Sequence, residues 1–385
     1  MNRFGAVVLA LALWLVPSLE VRADLVVSAP SAILMEATTG DTIYEKNATE
    51  RRSPASLTKI MTILLTFEQI KAGNADLNDP VVVSEYASSM GGSQVWLEMG
   101  EIQTLDTMLK CIIVASGNDA SVAVAEHLAG SEANFVAMMN ERARELGMID
   151  THFEDCCGLS DSDNHYTSAK DVALMSRELI THFPEVFNYT TIWMEDIIHS
   201  TARGDSVFGL SNTNKLLKRY QYTTGLKTGT TDKALYCICA TALKEDIHFI
   251  SVVMGAPSSE GRFKDAVTML NHGFAVSDLY IDENTENLAP LPIEGGVEEA
   301  VPLRFEGPFS YLDTQGNKLD GVEKSIELPA GENAPVVEGE AAGRAVYKLD
   351  GVVIGEIPIV YAQTVDKAGY LDYLWKVITQ ALMGI

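Results

Sequence analysis

The stretch from Ser53 to Leu65 constrains the fold of this chain more than any other part of the sequence. The apolar run that begins at Ile60 is too continuous for a helix with one solvated face, so it predicts a helix that crosses a core. Ser53 is a suitable N-cap residue, and Pro54 suits the first helical position, where a missing N–H is no loss. We therefore expect a buried helix that begins at Pro54.

Two residues of this predicted helix suggest chemistry. Ser56 lies in its first turn, and Lys59, three residues later, lies on the same face. A serine hydroxyl is a poor nucleophile until a base removes its proton, and burial together with the positive end of the helix dipole would lower the pKa of a lysine enough for that task. The alternative is a core helix whose lysine extends to solvent, because an S-x-x-K spacing occurs about once or twice by chance in a chain of this length.

Composition limits the classes of function. The chain has 385 residues, of which 47% are hydrophobic, enough for a large core and more than one domain. It carries 28 Lys and Arg against 53 Asp and Glu, a net charge of -25, so it lacks the basic surface of a nucleic-acid-binding protein. Its five cysteines are an odd number, and their spacing with histidine does not match a zinc site, so we expect no disulfide and no metal.

Residues 1–23 have the pattern of a secretory signal peptide. Arg3 supplies a positive charge, residues 4–15 are apolar, and Val21, Arg22 and Ala23 resemble a cleavage site. A membrane-spanning anchor would need about 20 apolar residues, which this segment does not have. We expect cleavage after Ala23 and an exported protein.

The rest of the chain divides into three parts. Residues 24–279 predict an α+β domain, in which a hairpin at residues 32–44 precedes the Ser56 helix. Strand-like runs at 234–243 and 247–255 form a second hairpin before a closing helix at 263–274, so one sheet with helices packed on it is expected. Residues 280–362 predict a small all-β domain, and residues 363–385 an amphipathic helix.

Two further motifs accompany the Ser56 segment. Ser116-Gly117-Asn118 lies between a buried segment and a helix, and Lys227-Thr228-Gly229-Thr230 lies on a predicted edge strand. On an edge strand, a lysine and a threonine can hold a substrate carboxylate, and a glycine lets the substrate backbone approach closely. Ser162-Asp163-Asn164 is a competing match to the Ser116 motif, but no apolar helix leads into it, so we favour Ser116.

In this order the three motifs resemble the signature of penicillin-binding proteins and serine β-lactamases. The surrounding sequence is similar to the D-alanyl-D-alanine carboxypeptidases of the peptidase S11 group, which are low-molecular-mass penicillin-binding proteins. The segments that carry this resemblance are Ala55–Thr62, Met90–Ser93, Ser116–Ala120, Gly225–Gly229, Leu146–Met148, Thr151–Phe153 and His165–Ala169. The resemblance covers roughly residues 30–385. It implies a β-lactamase/transpeptidase-like catalytic domain, a β-rich second domain and a tail helix.

The resemblance also implies an activity. Ser56 would attack the carbonyl between the two terminal D-alanines of a peptidoglycan pentapeptide stem, with Lys59 and Ser116 as the other catalytic residues. Asn118, Lys227, Thr228, Gly229 and Thr230 would bind substrate, with the N–H groups of Ser56 and Thr230 as the oxyanion hole. No cofactor is needed, and β-lactam antibiotics would acylate the same serine.

Other residues receive plainer interpretations at this point. Leu235 stands where the family usually has glycine, and we expect it to narrow the packing behind the binding strand. His165 is expected to be structural, and Trp96 to pack in the core or on a cleft wall. A β-lactamase is one alternative function, although no glutamate for deacylation is identifiable; a non-catalytic penicillin- or muropeptide-binding scaffold is another, although it should have lost Ser56, Lys59 or Lys227.

The tail is expected to bind a membrane surface. On a helix, six apolar residues share one face: Leu371, Leu374, Trp375, Ile378, Leu382 and Ile385. Asp372, Lys376 and Gln380 fall on the opposite face, and their charges interrupt any run long enough to span a bilayer. This pattern predicts a peripheral anchor on the outer face of the cytoplasmic membrane. A helix docked on the β-rich domain is the alternative.

Overall fold

The computed structural model describes residues 25–383. The predicted signal peptide at residues 1–23 and the predicted apolar residue Ile385 lie outside the described residues. The described part contains an α+β region followed by an all-β region and a helix. The predicted α+β fold class is confirmed.

The first region contains the following strands and helices. Its strands are β1 (Ser31–Glu36), β2 (Thr42–Lys46), β3 (Pro80–Val82), β4 (Ile102–Thr104), β5 (Met194–Thr201), β6 (Gly204–Ser211), β7 (Thr223–Thr231), β8 (Leu235–Lys244) and β9 (Ile247–Ala256). Its helices are α1 (Lys59–Lys71), α2 (Glu85–Ser88), α3 (Leu105–Ile113), α4 (Asn118–Ala129), α5 (Glu132–Glu145), α6 (Ala169–His182), α7 (Phe187–Thr190), α8 (Leu216–Arg219) and α9 (Ser259–Val276).

A five-stranded antiparallel sheet organises this region, with the order β2-β1-β9-β8-β7. Helix α9 packs on one face of the sheet, and helix α1 with its neighbours packs on the other. Strand β7, which carries the Lys227 motif, is an edge strand as predicted. Strand β7 pairs with β8 on one side only, so its other side is available to lie against the Ser56 segment.

The two central strands are apolar on both faces because each face is covered. In β9, Ile250 and Val252 point into the core around α1, whereas Phe249 and Val253 point into the core beneath α9. A strand covered on both faces reads as an apolar run rather than as an alternating pattern. The five cysteines of the chain are buried free thiols, and Cys237 and Cys239 share one face of β8.

The start of the Ser56 helix differs from the prediction. A 3₁₀ turn spans Ala55–Thr58, helix α1 begins at Lys59, and neither Ser53 nor Pro54 caps it through a side chain. Ala55 has a left-handed backbone with φ of 46°. Tertiary contacts on this turn, described below, outweigh the capping preference on which the prediction relied. The predicted burial is confirmed, since residues 59–67 are all buried.

The second region is all β, as predicted. Its strands are β10 (Asp278–Asp282), β11 (Leu291–Glu294), β12 (Ala300–Val301), β13 (Leu303–Phe305), β14 (Phe309–Asp313), β15 (Glu323–Glu327), β16 (Glu332–Asn333), β17 (Ala341–Leu349) and β18 (Val352–Tyr361). They form small sheets around a separate core, in which the ring of Tyr347 stacks on Phe309 with centroids 3.8 Å apart. The Tyr347 hydroxyl donates to Asn284 Oδ1 at 2.6 Å, which satisfies its buried polar end.

The tail helix α10 spans Tyr370–Met383. It begins later than residue 363 because Val365 is buried in the β-rich core and pairs with Val336. Leu371 and Trp375 are 70% and 68% exposed, so neither is packed on the β-rich region. Within residues 25–383, no helix is both long enough and apolar enough to cross a bilayer.

Candidate active site

Ser56 and Lys59 meet at the junction between the 3₁₀ turn and helix α1. Lys59 Nζ lies 3.1 Å from Ser56 Oγ, 2.6 Å from Asn118 Oδ1 and 2.7 Å from the carbonyl oxygen of Cys157. The side chain is fully buried, and this desolvation lowers the pKa of Lys59, although nearby acidic groups partly oppose the effect. The alternative in which the lysine extends to solvent is wrong.

The Ser116 motif lies beside this pair. Ser116 has a left-handed backbone with φ of 63°, and helix α4 begins two residues later at Asn118. The Asn118 amide bridges the site, because its oxygen accepts from Lys59 while its nitrogen donates to the Gly91 carbonyl at 2.8 Å. The Asn118 backbone N–H donates to the Ser93 carbonyl at 2.7 Å. The loop that contains Gly91 and Ser93 therefore forms one wall of the site.

Strand β7 places the third motif against the first two. Lys227 is 1% exposed, and its Nζ donates to Ser116 Oγ at 2.8 Å. Burial, and then the charges of Lys59 and Arg262, hold the pKa of Lys227 well below its usual value. The Thr228 hydroxyl donates to Thr213 Oγ1 at 2.7 Å. The structure thus joins the three motifs through two lysines, Lys59 to Asn118 and Lys227 to Ser116.

The sequence predicted that Gly229 makes room for the substrate backbone. In the structure it makes room for the backbone of Pro54 and Ser56. A Cβ at this position would lie 3.0 Å from both the Pro54 carbonyl oxygen and the Ser56 nitrogen. Real Cβ atoms essentially never approach closer, so the glycine allows strand β7 to lie directly against the backbone that carries the nucleophile. The Thr230 hydroxyl donates to the Gly229 carbonyl at 2.8 Å and accepts from Arg262.

Arg262 is a site residue that the sequence analysis missed. It extends from α9 to strand β7, where Nη1 donates to the Gly229 carbonyl at 3.0 Å and to Thr230 Oγ1 at 2.9 Å. It is 7% exposed, and its Nε has no partner among the described residues. The sequence did contain an indication of this role. Arg262 lies on the buried face of α9 with Phe263 and Ala266, at a position where an apolar residue is expected.

The sequence analysis also missed a loop that packs against the turn containing Ser56. The Asp155 carboxylate accepts the backbone N–H groups of Cys157, Gly158, Leu159 and Ser160, which closes the loop tightly. Gly158 has φ of 80°, and a Cβ there would overlap the Ala55 carbonyl and lie 2.8 Å from Thr58 Oγ1. The loop therefore packs directly on the 3₁₀ turn and presents the Cys157 carbonyl to Lys59. Only the D-x-x-G spacing hinted at such a turn.

The competing Ser162 motif lies away from these contacts. Asp163 forms an ion pair with Lys233 at 2.8 Å, and the Asn164 N–H donates to Ser162 Oγ within the same loop. His165 is buried and structural: its Nδ1 accepts from the Glu154 N–H, so its Nε2 donates to Thr58 Oγ1 at 3.0 Å. Among the described residues, no group of three or more His, Cys, Asp or Glu side chains is arranged to hold a metal ion.

The exposure of Leu235 and of Trp96 bears on what the sequence predicted for these two residues. Leu235 is 44% exposed and has a left-handed φ of 56°, so it points to solvent and does not narrow the packing behind strand β7. Leu235 is the first residue of β8, directly after the turn from β7, and its left-handed φ is a conformation that glycine adopts without strain. Trp96 is 70% exposed, so the expectation that it packs in the core is wrong, while its place on a cleft wall stays a prediction.

Residues 19–258 match the Peptidase_S11 family, described as D-alanyl-D-alanine carboxypeptidase. The chain belongs to this family. Residues 281–367 match the C-terminal domain of penicillin-binding protein 5. The chain is therefore a serine-type D-alanyl-D-alanine carboxypeptidase of the low-molecular-mass penicillin-binding class, as the resemblance implied.

Individual relatives agree with this assignment along most of the chain. The D-alanyl-D-alanine carboxypeptidase DacF of Bacillus subtilis is 39% identical over 352 residues, which cover 91% of this chain and 89% of that protein. The carboxypeptidase DacA of Escherichia coli is 31% identical, with 90% and 87% covered. Penicillin binding protein 5 from Haemophilus influenzae superposes with a TM-score of 0.74 at 29% identity, covering 89% of this chain and 98% of that one.

Proposed function

We propose that the peptidase acts through Ser56 as nucleophile and Lys59 as its base, and the contacts of Lys59 carry this assignment. A neutral lysine amine has two hydrogens and one lone pair, whereas the ammonium has three hydrogens and no lone pair. The two shorter contacts of Nζ, at 2.6 Å and 2.7 Å, end on the acceptors Asn118 Oδ1 and the Cys157 carbonyl. If the neutral amine donates to both, its lone pair is left for the Ser56 hydroxyl at 3.1 Å.

The opposite side of the site suits a terminal carboxylate. Lys59, Lys227 and Arg262 bring three basic groups close together in a chain whose net charge is -25. Lys227 and Arg262 are both buried, and an anionic ligand would offset the cost of placing their charges there. The hydroxyls of Thr228 and Thr230 lie on the same strand, and each would donate to the carboxylate after turning from its present acceptor, Thr213 Oγ1 or the Gly229 carbonyl. We place the free carboxylate of the terminal D-alanine at this edge of β7.

The reaction then follows from these positions. Lys59 takes the Ser56 proton as Oγ attacks the carbonyl of the penultimate D-alanine, and the N–H groups of Ser56 and Thr230 stabilise the oxyanion. Lys59 then returns this proton by way of the Ser116 hydroxyl, which is hydrogen-bonded to Lys227, to the leaving amine. D-alanine departs, the acyl group remains on Ser56, and Lys59 is neutral again. Water activated by Lys59 hydrolyses the ester and restores the serine. A β-lactam opens on the same oxygen to give an acyl adduct.

The mass of the intact protein after mixing with penicillin tests the assignment of the nucleophile. We expect a single adduct on the wild-type protein and on Ser162→Ala, and none on Ser56→Ala. Release of D-alanine from a D-Ala-D-Ala peptide should follow the same pattern. An adduct on Ser56→Ala would refute the assignment. Rapid turnover of penicillin without a lasting adduct would favour the β-lactamase, and an adduct without D-alanine release would favour the scaffold.

We also propose that the protein is exported by the segment at residues 1–23 and held at the outer face of the cytoplasmic membrane by α10. Exposure of the described apolar side chains supports the anchor: Leu371, Leu374, Trp375 and Ile378 are 40–70% exposed on one face. Tyr370 and Tyr373 suit the headgroup layer, where a ring is buried and its hydroxyl stays hydrated. The net charge of -25 would oppose binding to anionic lipid, so the apolar face must supply the affinity.

Deletion of residues 370–385 tests the anchor without disturbing the β-rich region, because the pairing of Gly296 with Lys367 is retained. We expect the mature protein to move from the membrane fraction to the soluble fraction while acylation by penicillin is unchanged. The double variant Leu371→Glu with Trp375→Glu should do the same, and Asp372→Asn should not. A truncated protein that still sediments with membranes would contradict the proposal.

A further inference from the structure

Trp96 stands out because its backbone is strained while its side chain is unused. Its φ of 64° is left-handed, which for a bulky residue carries a strain of the kind found at functional sites. The indole is 70% exposed, and its N–H has no hydrogen-bond partner among the described residues. Among residues 25–383, no aromatic ring or basic side chain stacks on the indole to reward this conformation. Such a residue is positioned for a contact with a molecule outside the chain.

The strain is imposed by the neighbours of Trp96. The backbone N–H groups of Val95 and Leu97 both donate to the Asp119 carboxylate, at 3.1–3.2 Å and 3.1 Å. The side chains of Val95 and Leu97 are buried in the core, and Asp119 is 1% exposed. With both neighbours fixed inward, the side chain of Trp96 is directed outward. The backbone of Trp96 is therefore fixed before any ligand arrives, so binding costs only the freedom of the indole side chain.

The same clamp ties Trp96 to the catalytic centre. Asp119 directly follows Asn118, which contacts Lys59 through its side chain and Ser93 through its N–H. Trp96 is three residues beyond Ser93, so its backbone lies at most about 10 Å farther along the wall of the site. Gly91, Gly92, Ser93 and Trp96 are exposed, Gln94 is half-buried, and the side chain of Val95 points inward. The exposed residues of this loop are available to a ligand that passes Asn118.

The orientation of the substrate in the site determines which part of it lies near the loop from Gly91 to Trp96. The terminal carboxylate lies at the basic edge of β7, so the acyl part of the stem extends from Ser56 past Asn118. The residue before the D-Ala-D-Ala pair begins about 4 Å from the penultimate alanine, and a four-carbon side chain adds about 5–6 Å. That sum of about 10 Å is similar to the largest separation that the three residues from Ser93 to Trp96 allow. An indole face suits the aliphatic surface of such a chain.

We propose that Trp96 binds the long aliphatic side chain of the stem residue that precedes the D-Ala-D-Ala pair. This inference rests on the proposed function, because it takes Ser56 as the point of attack and β7 as the carboxylate site. Trp96 acts in substrate selection and does not take part in bond making or breaking. It sets a preference for stems with a long chain at that position over stems with alanine there.

Two peptides test the proposal, Nα,Nε-diacetyl-L-Lys-D-Ala-D-Ala and Nα-acetyl-L-Ala-D-Ala-D-Ala. Covering about half of a four-carbon chain should give the wild-type enzyme about a tenfold preference in kcat/KM for the lysine peptide, expressed mainly in KM. Trp96→Ala should reduce the ratio of the two kcat/KM values to less than about twofold, and Trp96→Phe should keep most of it. Val207→Ala, an equally exposed apolar residue on β6, is the control and should leave the ratio unchanged.

A second measurement separates this proposal from the catalytic assignment. Binding of both peptides to the Ser56→Ala protein, with and without Trp96→Ala, is measured by calorimetry and needs no turnover. A preference for the lysine peptide that disappears with the indole supports the proposal even if Ser56 proves not to be the nucleophile. Equal losses on both peptides, or an unchanged ratio in Trp96→Ala, would overturn it, because a structural role would weaken both peptides alike.

Discussion

Replacement of Gly158 by alanine tests whether the Asp155–Ser160 loop positions the nucleophile. Gly158 has φ of 80°, and its missing side chain leaves room for the Ala55 carbonyl and for Thr58 Oγ1. Gly147 has φ of 71° and nothing within 4 Å of its Cβ position, so Gly147→Ala is a matched control with backbone strain but no overlap. The difference between the two variants measures the contact with the 3₁₀ turn alone.

The expected magnitudes follow from these two positions. Left-handed alanine should destabilise both variants by about 1 kcal/mol, or a fall in Tm of about 2–4 °C. The overlap in Gly158→Ala should add about 1–3 kcal/mol, because either the loop or the turn must move. A shift of about 1 Å at Ala55 displaces Ser56 relative to Lys59, and misplacement on that scale can slow a reaction about 100-fold.

The assay is the rate constant for acylation by a fluorescent penicillin, measured below the melting temperature of each variant. We expect Gly147→Ala to acylate at the wild-type rate and Gly158→Ala about 100-fold more slowly. Asp155→Ala, which loosens the same loop without an overlap, should show a smaller loss. If folded Gly158→Ala acylates within about twofold of Gly147→Ala, the loop does not position Ser56 and the reasoning is wrong.

Three further predictions concern charge and strain. Because burial lowers the pKa of Lys59, acylation should rise with pH and level off below the usual lysine value of about 10.4; a rate that begins to rise only above about pH 10.4 would exclude Lys59 as the base. Arg262→Ala and Lys227→Ala should each reduce the preference for a free-acid peptide over its C-terminal amide by about 10- to 100-fold, and unchanged preference in both would place the carboxylate elsewhere. Leu235→Gly should relieve left-handed strain and stabilise the protein by up to about 1 kcal/mol, which a fall in Tm would contradict.

The proposed catalytic pair was accessible from the sequence because its chemistry depends on residue type and spacing. Ser56 and Lys59 are three residues apart in one turn, and the apolar run after them required burial, which the structure has. The sheet was predicted for a similar reason, since β8 and β9 are long apolar runs separated by a polar turn. Local pattern and hydrophobic burial agree at these places.

The local geometry of the nucleophile was not accessible in this way. Capping preference favoured a helix that starts at Pro54, but contacts from Gly158 and Gly229 hold Ala55 in a left-handed conformation and produce a 3₁₀ turn instead. Each contact joins parts of the chain that are about a hundred residues or more apart. Propensities describe neighbours in sequence, so they cannot register such a contact.

The sequence by itself therefore determined the class of fold and the residue types of the site, since periodicity and motif spacing are properties of the chain. Only the tertiary structure decided how those residues act. The hydrogen bond from Lys59 to the Cys157 carbonyl spans 98 positions, and the contact from Arg262 to Gly229 spans 33. Protonation state depends on burial and on such distant partners. The same is true of the outward direction of Trp96, which a buried carboxylate 23 residues away imposes through its neighbours.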